Sequence, residues 1–289
     1  MRVGCGELMV DRVGHQQRQG GRDDLLRQAA FALTGQRPHE AERLAGEVLK
    51  ADPRHNRGLH ILGCALLMQG RAQEAIAPLE VAARQHDPEI ETQLAVALRQ
   101  IGRREEALSY LKRAIKRRPP HAPAFSELGS LLVALERYDE AIEAFGRGLE
   151  IAPMMPDLSI QLGFVFLQRR NCAQAKAAFA RALAIAPGSP HALFGLAKAH
   201  QEVGECQPAA EYFRRFLRIA PNDAGAWLSL GHCLLELGDV EAGYDCFRTA
   251  ARGEPTRYGT ALASLVRAAR GRFWLRPSAA AQSIKGTKG

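Results

Sequence analysis

Residues 122–155 read APAFSELGSLLVALERYDEAIEAFGRGLEIAPMM, and this stretch decides the fold. Phe125, Leu128 and Leu132 recur at helical spacing; after the link LERYDEA, Ala141, Phe145 and Leu149 do the same. Each run places its apolar residues on one face, so the stretch encodes two amphipathic helices joined by a tight turn. Pro153 ends the second helix, because proline has no N–H with which to continue the hydrogen-bond ladder. A single hairpin of this kind cannot bury its own apolar face, and it needs neighbours built to the same plan.

Those neighbours are written along the chain. Pro119, Pro153, Pro187, Pro221 and Pro255 follow one another at 34-residue intervals. Aligned on them, residues 156–189 carry Leu162-Gly163, Phe166, Ala175 and Phe179, and residues 224–257 carry Trp227, Leu230-Gly231, Leu234, Gly243 and Phe247. Residues 190–223 (Leu196-Ala197, Ala209, Phe213) and 88–121 (Leu94-Ala95, Ala107, Leu111) match more loosely. Upstream, Leu62-Gly63, Leu66, Ala75 and Leu79 define residues 56–87, and a degenerate unit at 22–55 keeps Ala41, Ala45 and Pro53. Pro53 is two residues out of phase with the later prolines, and the slip falls near Asp87-Pro88, where the unit closes after 32 residues. Gly and Ala at the recurring contact positions let neighbouring helices approach closely.

This pattern resembles the tetratricopeptide repeat (TPR) family in its bacterial form, whose 34-residue signature is W-x2-L-G-x2-Y, then A-x3-F, then P. The resemblance implies an all-α fold: a right-handed α-solenoid of about seven helix-turn-helix repeats at 22–55, 56–87, 88–121, 122–155, 156–189, 190–223 and 224–257. Residues 258–270, YGTALASLVRAAR, have the period of a C-terminal capping helix. Residues 1–21 are expected to form a flexible N-terminal segment, and residues 271–289 a basic, aromatic tail.

Composition narrows the function. Of 289 residues, 46% are hydrophobic and 24% charged, which argues against disorder over most of the chain. No run approaches the roughly 18 apolar residues of a membrane span, and the first 21 residues lack the apolar core of a signal peptide, so a cytoplasmic chain is expected. The six cysteines form no C-x-x-C pair and are expected to be free thiols. Phosphate-loop, dinucleotide, zinc-protease and nucleophile-elbow motifs are missing, which points away from an enzyme and from any cofactor. His60 and Cys64, four apart on one helix, are two ligands without a third, so no metal is assigned to them.

The resemblance also locates a binding surface: the concave side, lined by the first helix of each repeat. Its fifth and ninth positions fall on Leu26, Ala30, His60, Cys64, Thr92, Val96, Ser126, Ser130, Ile160, Phe164, Phe194, Lys198, Leu228 and His232. Family members that clamp chaperone C-termini use Lys and Asn there. Here Lys198 is the one basic residue and the chain's three asparagines (Asn56, Asn171, Asn222) lie elsewhere, so that mode does not fit. An apolar-to-neutral groove remains, with Ile160, Phe164, Phe194 and Leu228 clustered in repeats five to seven. It suits a peptide or helix of a protein partner, unless these side chains pack on the second helices instead. Similar arrays precede glycosyltransferase or sulfotransferase domains in some bacterial proteins, so the alternative is an accessory substrate-recruiting arm whose catalytic domain lies outside this chain.

The formal charge of +8 is local. The repeats up to residue 251 are neutral in sum, the first 21 residues contribute +1, and residues 252–289 contribute +7. Within repeat three, Arg113 and Arg117 belong to the basic run LKRAIKRRPP, which complements the negative end of a helix. In the tail, Arg270, Arg272 and Arg276 surround Phe273 and Trp274. That chemistry suits an acidic partner or an anionic membrane surface, while the absence of any RNA- or DNA-binding motif argues against nucleic acid.

Overall fold

The computed structural model describes residues 5–253. Helices α1 (Cys5–Thr34), α2 (Pro38–Ala51), α3 (Asn56–Met68), α4 (Ala72–Ala82), α5 (Pro88–Gln100), α6 (Arg104–Ala114) and α7 (Ala122–Ala134) come first. They are followed by α8 (Tyr138–Ile151), α9 (Pro156–Gln168), α10 (Cys172–Ile185), α11 (Pro190–Glu202), α12 (Cys206–Ile219), α13 (Ala224–Glu236) and α14 (Val240–Gly253). The fold is an all-α repeat solenoid with no strand among the described residues. The chain divides into two compact units, Met1–Glu140 and Ala141–Gly289, with the division inside α8.

The helices start by a few recurring devices, and every repeat turns by the same one. Proline occupies the first turn of α2, α5, α7, α9 and α11, where its missing N–H has no intrahelical partner to lose. Asp87, Asn171, Ser189 and Asp223 each cap the helix that follows by accepting a backbone N–H. Between the helices of a pair, the fifteenth residue of each repeat takes a left-handed conformation. It is glycine at Gly70, Gly102, Gly204 and Gly238, and a side-chain-bearing residue at Gln36, Glu136 and Arg170. The next N–H then reaches back five residues to a carbonyl (Arg71 to Leu66, Arg137 to Leu132, Asp239 to Leu234) at 2.8–2.9 Å. This closure satisfies a carbonyl that the helix end would leave open.

The 32-residue repeat has a local cause. Helix α4 ends in one 3₁₀ turn, Ala83–Gln85, and His86 takes φ 62°. Asp87 then caps α5 at once by accepting the Glu89 N–H at 2.8 Å. By contrast, α10 and α12 run 14 residues and end on extended Ala186 and Ala220, each forced out of the helical region by the proline after it.

In the first unit, α1 to α7 pack in sequence, and the first helices of successive repeats also touch (α1 with α3, α3 with α5, α5 with α7). In the second, α9 to α14 pack in sequence and α9 touches α11. Phe179, Phe213 and Phe247, spaced by the repeat, are each 0% exposed and form the centre of the second unit's core. Residues 1–21, expected to be flexible, are helical from Cys5. No proline interrupts that stretch, and Glu7, Leu8, Met9, Gln16, Gln17 and Arg18 favour helix. The capping helix expected at 258–270 and the tail residues Arg270, Arg272, Phe273, Trp274 and Arg276 lie outside the described residues.

Candidate functional site

The fifth and ninth positions of the first helices turn out to be unlike each other. At the fifth position, Leu26, Thr92, Ile160 and Leu228 are buried, and His60, Ser126 and Phe194 are half-buried. Thr92, expected to line an accessible groove, is 2% exposed and donates its hydroxyl to the Pro88 carbonyl at 2.6 Å. Ile160 belongs to the core around Phe179 and Leu228 to the core around Phe247, so both pack on second helices rather than facing a ligand. The ninth position behaves uniformly. Ala30, Cys64, Val96, Ser130, Phe164, Lys198 and His232 are all half-buried, and no two are the same residue type.

In the first unit, the surface around α3 and α5 is hemmed by carboxylates. His60 Nε2 is enclosed without a hydrogen-bond partner, 4.0 Å from Glu89 Oε1. Burial lowers the pKa of His60 below its usual value, opposed by Glu89 and Asp87. Burial also pushes the neighbouring Cys64 thiol up to about 12, which keeps it protonated and unreactive. On α7, the Ser130 hydroxyl donates to the Ser126 carbonyl one turn earlier at 2.9 Å. No group of three or more metal-ligating side chains exists among the described residues, so His60 and Cys64 remain a pair.

The second unit joins apolar and cationic chemistry. Phe164 meets the edge of Phe179 with centroids 5.0 Å apart, and Phe194 lies against Phe213 and Phe216 at 6.0 and 5.3 Å. Both rings are half-buried against residues of the second helices. Lys198 Nζ donates to Gln201 Oε1 at 3.0 Å and to Ser229 Oγ at 3.5 Å, and Gln201 donates to the Ser229 carbonyl at 3.3 Å. These are neutral acceptors, and no carboxylate pairs with the Lys198 ammonium among the described residues. His232 sits against Phe247, and burial, aided by Lys198, lowers its pKa.

Three features escaped the sequence reading. Gln201 and Ser229 position Lys198; the i, i+3 spacing of Lys198 and Gln201 was a visible hint, but Ser229 comes from the next repeat. Glu91 on α5 is 0% exposed and accepts from Arg113 at 2.7 Å and Arg117 at 3.1 Å. These arginines thus neutralise a buried carboxylate, beyond merely facing a helix end. Finally, α12, α13 and α14 line an open cleft of about 620 Å³, with Leu217, Leu230, Leu234 and Cys246 beside Arg214, Arg218 and Asp245.

A family model for the tetratricopeptide repeat matches residues 26–89, 92–156, 161–223 and 194–257. The chain belongs to the tetratricopeptide repeat family. Among solved structures, PilF of Pseudomonas aeruginosa is 21% identical with a TM-score of 0.65, over 72% of this chain and 96% of that one. A chain of the Cut9–Hcn1 hetero-tetramer of the APC/C is 16% identical with a TM-score of 0.67, over 84% of this chain and 48% of that one. MamA is 20% identical with a TM-score of 0.54, over 60% and 94%. At such identities the likeness is one of fold. No curated protein matches the sequence. As a TPR protein the chain is, at the level of class, a scaffold for contact with protein partners. No helix among its described residues is long and apolar enough to cross a membrane.

Proposed function

We propose that this TPR protein is a non-enzymatic scaffold that holds a short segment of a partner protein against the first helices α9, α11 and α13. An apolar side chain of the partner rests on Phe164 and Phe194, and a carboxylate pairs with Lys198. The observation that carries this reading is the Lys198 ammonium, held by Gln201 and Ser229 on the same face as half-buried Phe164 and Phe194 and without a carboxylate partner among the described residues. A preformed cation next to aromatic anchors loses little ordering entropy on binding, and aromatic residues supply much of the energy of such contacts. The accessory-arm reading uses the same face and differs only in what the recruited segment belongs to.

Selection of a phage-displayed random peptide library on wild-type protein and on Lys198→Glu tests the assignment. Wild type should enrich peptides pairing aromatic or aliphatic side chains with Asp or Glu, and the variant should exchange the acidic preference for Lys and Arg. Identical enrichment from both proteins overturns the assignment. The cleft of α12–α14 supports a second reading, in which an apolar segment flanked by carboxylates docks there. Arg214 and Arg218, one helical turn apart, make no side-chain hydrogen bond or ion pair among the described residues, whereas neighbouring Arg215 is committed to the Pro187 carbonyl and the Tyr212 ring. If Arg214→Glu with Arg218→Glu shifts the enrichment while Lys198→Glu does not, the cleft is the site.

A further inference from the structure

The buried carboxylate of Glu91 gathers more cationic chemistry than it needs. It accepts from Arg113 Nη2 at 2.7 Å and from Arg117 Nη2 at 3.1 Å, and Arg117 Nε stands 3.5 Å from its second oxygen. His86, just past the 3₁₀ turn that follows α4, brings its Nδ1 to 3.4 Å from Arg113 Nη2 and 3.8 Å from Glu91 Oε1. Residues of two repeats thus converge on one carboxylate. The basic run also does more than balance the end of α6. That end is closed by its own backbone, since the N–H groups of Ile115, Lys116 and Arg117 donate to the Leu111, Arg113 and Ala114 carbonyls at 3.0–3.1 Å.

The pairing leaves positive charge in excess, because one carboxylate balances one guanidinium and two are present. Each guanidinium carries five N–H donors, of which Glu91 takes one from Arg113 and two from Arg117. The carboxylate is sealed in the core, yet Arg113, Arg117 and His86 reach solvent, with side chains 45%, 33% and 59% exposed. The acidic residues next to His86 are committed elsewhere: Asp87 accepts the Glu89 N–H at 2.8 Å, and Glu89 lies 4.0 Å from His60. Lys116 and Arg118 are exposed and make no ion pair among the described residues.

We propose that Arg113, Arg117 and Lys116 form a binding site for a phosphoryl dianion, with Glu91 as the positioning residue. Glu91 holds both guanidinium groups from the core side, and the N–H donors it leaves unused meet two oxygens of one tetrahedral oxyanion. Forks already fixed in place lose little ordering entropy when the anion arrives. A phosphoryl group suits the site better than a carboxylate, because its additional negative charge meets the surplus guanidinium and the Lys116 ammonium together. The site belongs to the first unit and does not depend on what occupies the face of α9, α11 and α13.

The test titrates inorganic phosphate into the isotope-labelled full chain and follows it by NMR, at about pH 7.5, where phosphate is mostly a dianion, with ionic strength held constant by chloride. Phosphate should give saturable shifts centred on Arg113, Lys116 and Arg117. The methylamide of N-acetyl-phosphoserine, titrated alongside, assigns the source. Tighter binding than phosphate marks a phosphorylated side chain of a partner, equal or weaker binding marks free phosphate, and both uphold the site. Arg117→Ala leaves Arg113 on Glu91 and should weaken binding about tenfold or more. Lys116→Ala removes an exposed side chain without an ion pair, keeps the fold, and should weaken binding about threefold. Lys112→Ala removes an equal charge on the side of Glu140 and should leave binding unchanged. The comparison of the two lysines decides even if Arg117→Ala folds poorly. Shifts that grow without saturation, equal weakening by both lysine variants, or undiminished binding in a folded Arg117→Ala overturns the proposal.

Discussion

Replacing Gly195 by alanine puts the repeat packing to a quantitative test. The Phe179 ring, 0% exposed, lies between two first helices that each offer it a glycine. A Cβ built on Gly163 would stand 2.7 Å from the ring, and one on Gly195 would stand closer still to Cε1 and Cζ. Ordinary carbon contacts lie at about 3.5–4.0 Å, so the ring or the helices must move by about 1 Å. The ring has nowhere to go, because Gly163 and Phe164 bound it on the other side. Overpacking of this kind costs about 1–3 kcal/mol, and the higher helix propensity of alanine returns up to about 1 kcal/mol. The net expectation is destabilisation by about 1–2 kcal/mol, seen in thermal circular dichroism as a Tm lower by about 2–8 °C. Gly146, also mid-helix, has nothing within 4 Å of an added Cβ, so Gly146→Ala should instead stabilise by about 0.5–1 kcal/mol. Phe179→Leu should partly rescue Gly195→Ala, with a coupling of about 1 kcal/mol or more in a double-mutant cycle. If Gly195→Ala stabilises as Gly146→Ala does, or if the cycle is additive, the close approach does not govern the packing.

Removing both cations from Glu91 (Arg113→Ala with Arg117→Ala) should cost about 3–5 kcal/mol in urea unfolding, because a carboxylate at 0% exposure is left unpaired. Glu91→Gln should cost less, since both arginines reach solvent; a loss below about 1 kcal/mol for the arginine pair would mean the carboxylate finds water or the His86 ring, 3.8 Å away. The half-buried histidines His60, His121 and His232 all have lowered pKa values, with burial the first cause in each. The unfolded chain therefore binds protons near 6.5 before the folded chain does, so stability is fully present above that pH and is lost as pH falls through the folded values. The urea midpoint should be flat from pH 8 to 7 and fall between pH 6.5 and 5.5, less steeply in His60→Gln; an unchanged slope in that variant would exclude His60 as a source.

The parts of the fold that were legible in the sequence are those the packing cannot vary. Phe145, Phe179, Phe213 and Phe247 recur at one register because each is a buried side chain at the same place in its second helix, and the prolines at 153, 187 and 221 recur because α8, α10 and α12 each stop after 14 residues. Gln36, Glu136 and Arg170 were harder to read, because the turn needs a left-handed residue and glycine meets that need in only four of seven repeats. Glu91 could not be assigned at all. Its partners lie 22 and 26 residues away, and a charged residue at the fourth position of a first helix looks in sequence like any solvated one.

The same contrast separates the candidate site from the framework. A residue that must fill a fixed space is constrained to one size, so a position that is buried in some repeats and half-buried in others, as the fifth is, mixes packing with surface chemistry. Four of its seven side chains are accounted for by the core. The ninth position is half-buried in every repeat and yet holds Ala30, Cys64, Val96, Ser130, Phe164, Lys198 and His232. A single packing requirement cannot select a methyl, a thiol, an aromatic ring and an ammonium at equivalent places, so the core leaves this position open. Chemical variety on a constant backbone register is what a repeat scaffold needs to tell one partner from another. Within the second unit that variety places Phe164, Lys198 and His232 on successive first helices, which is the basis of the proposal that an apolar segment with a carboxylate docks there.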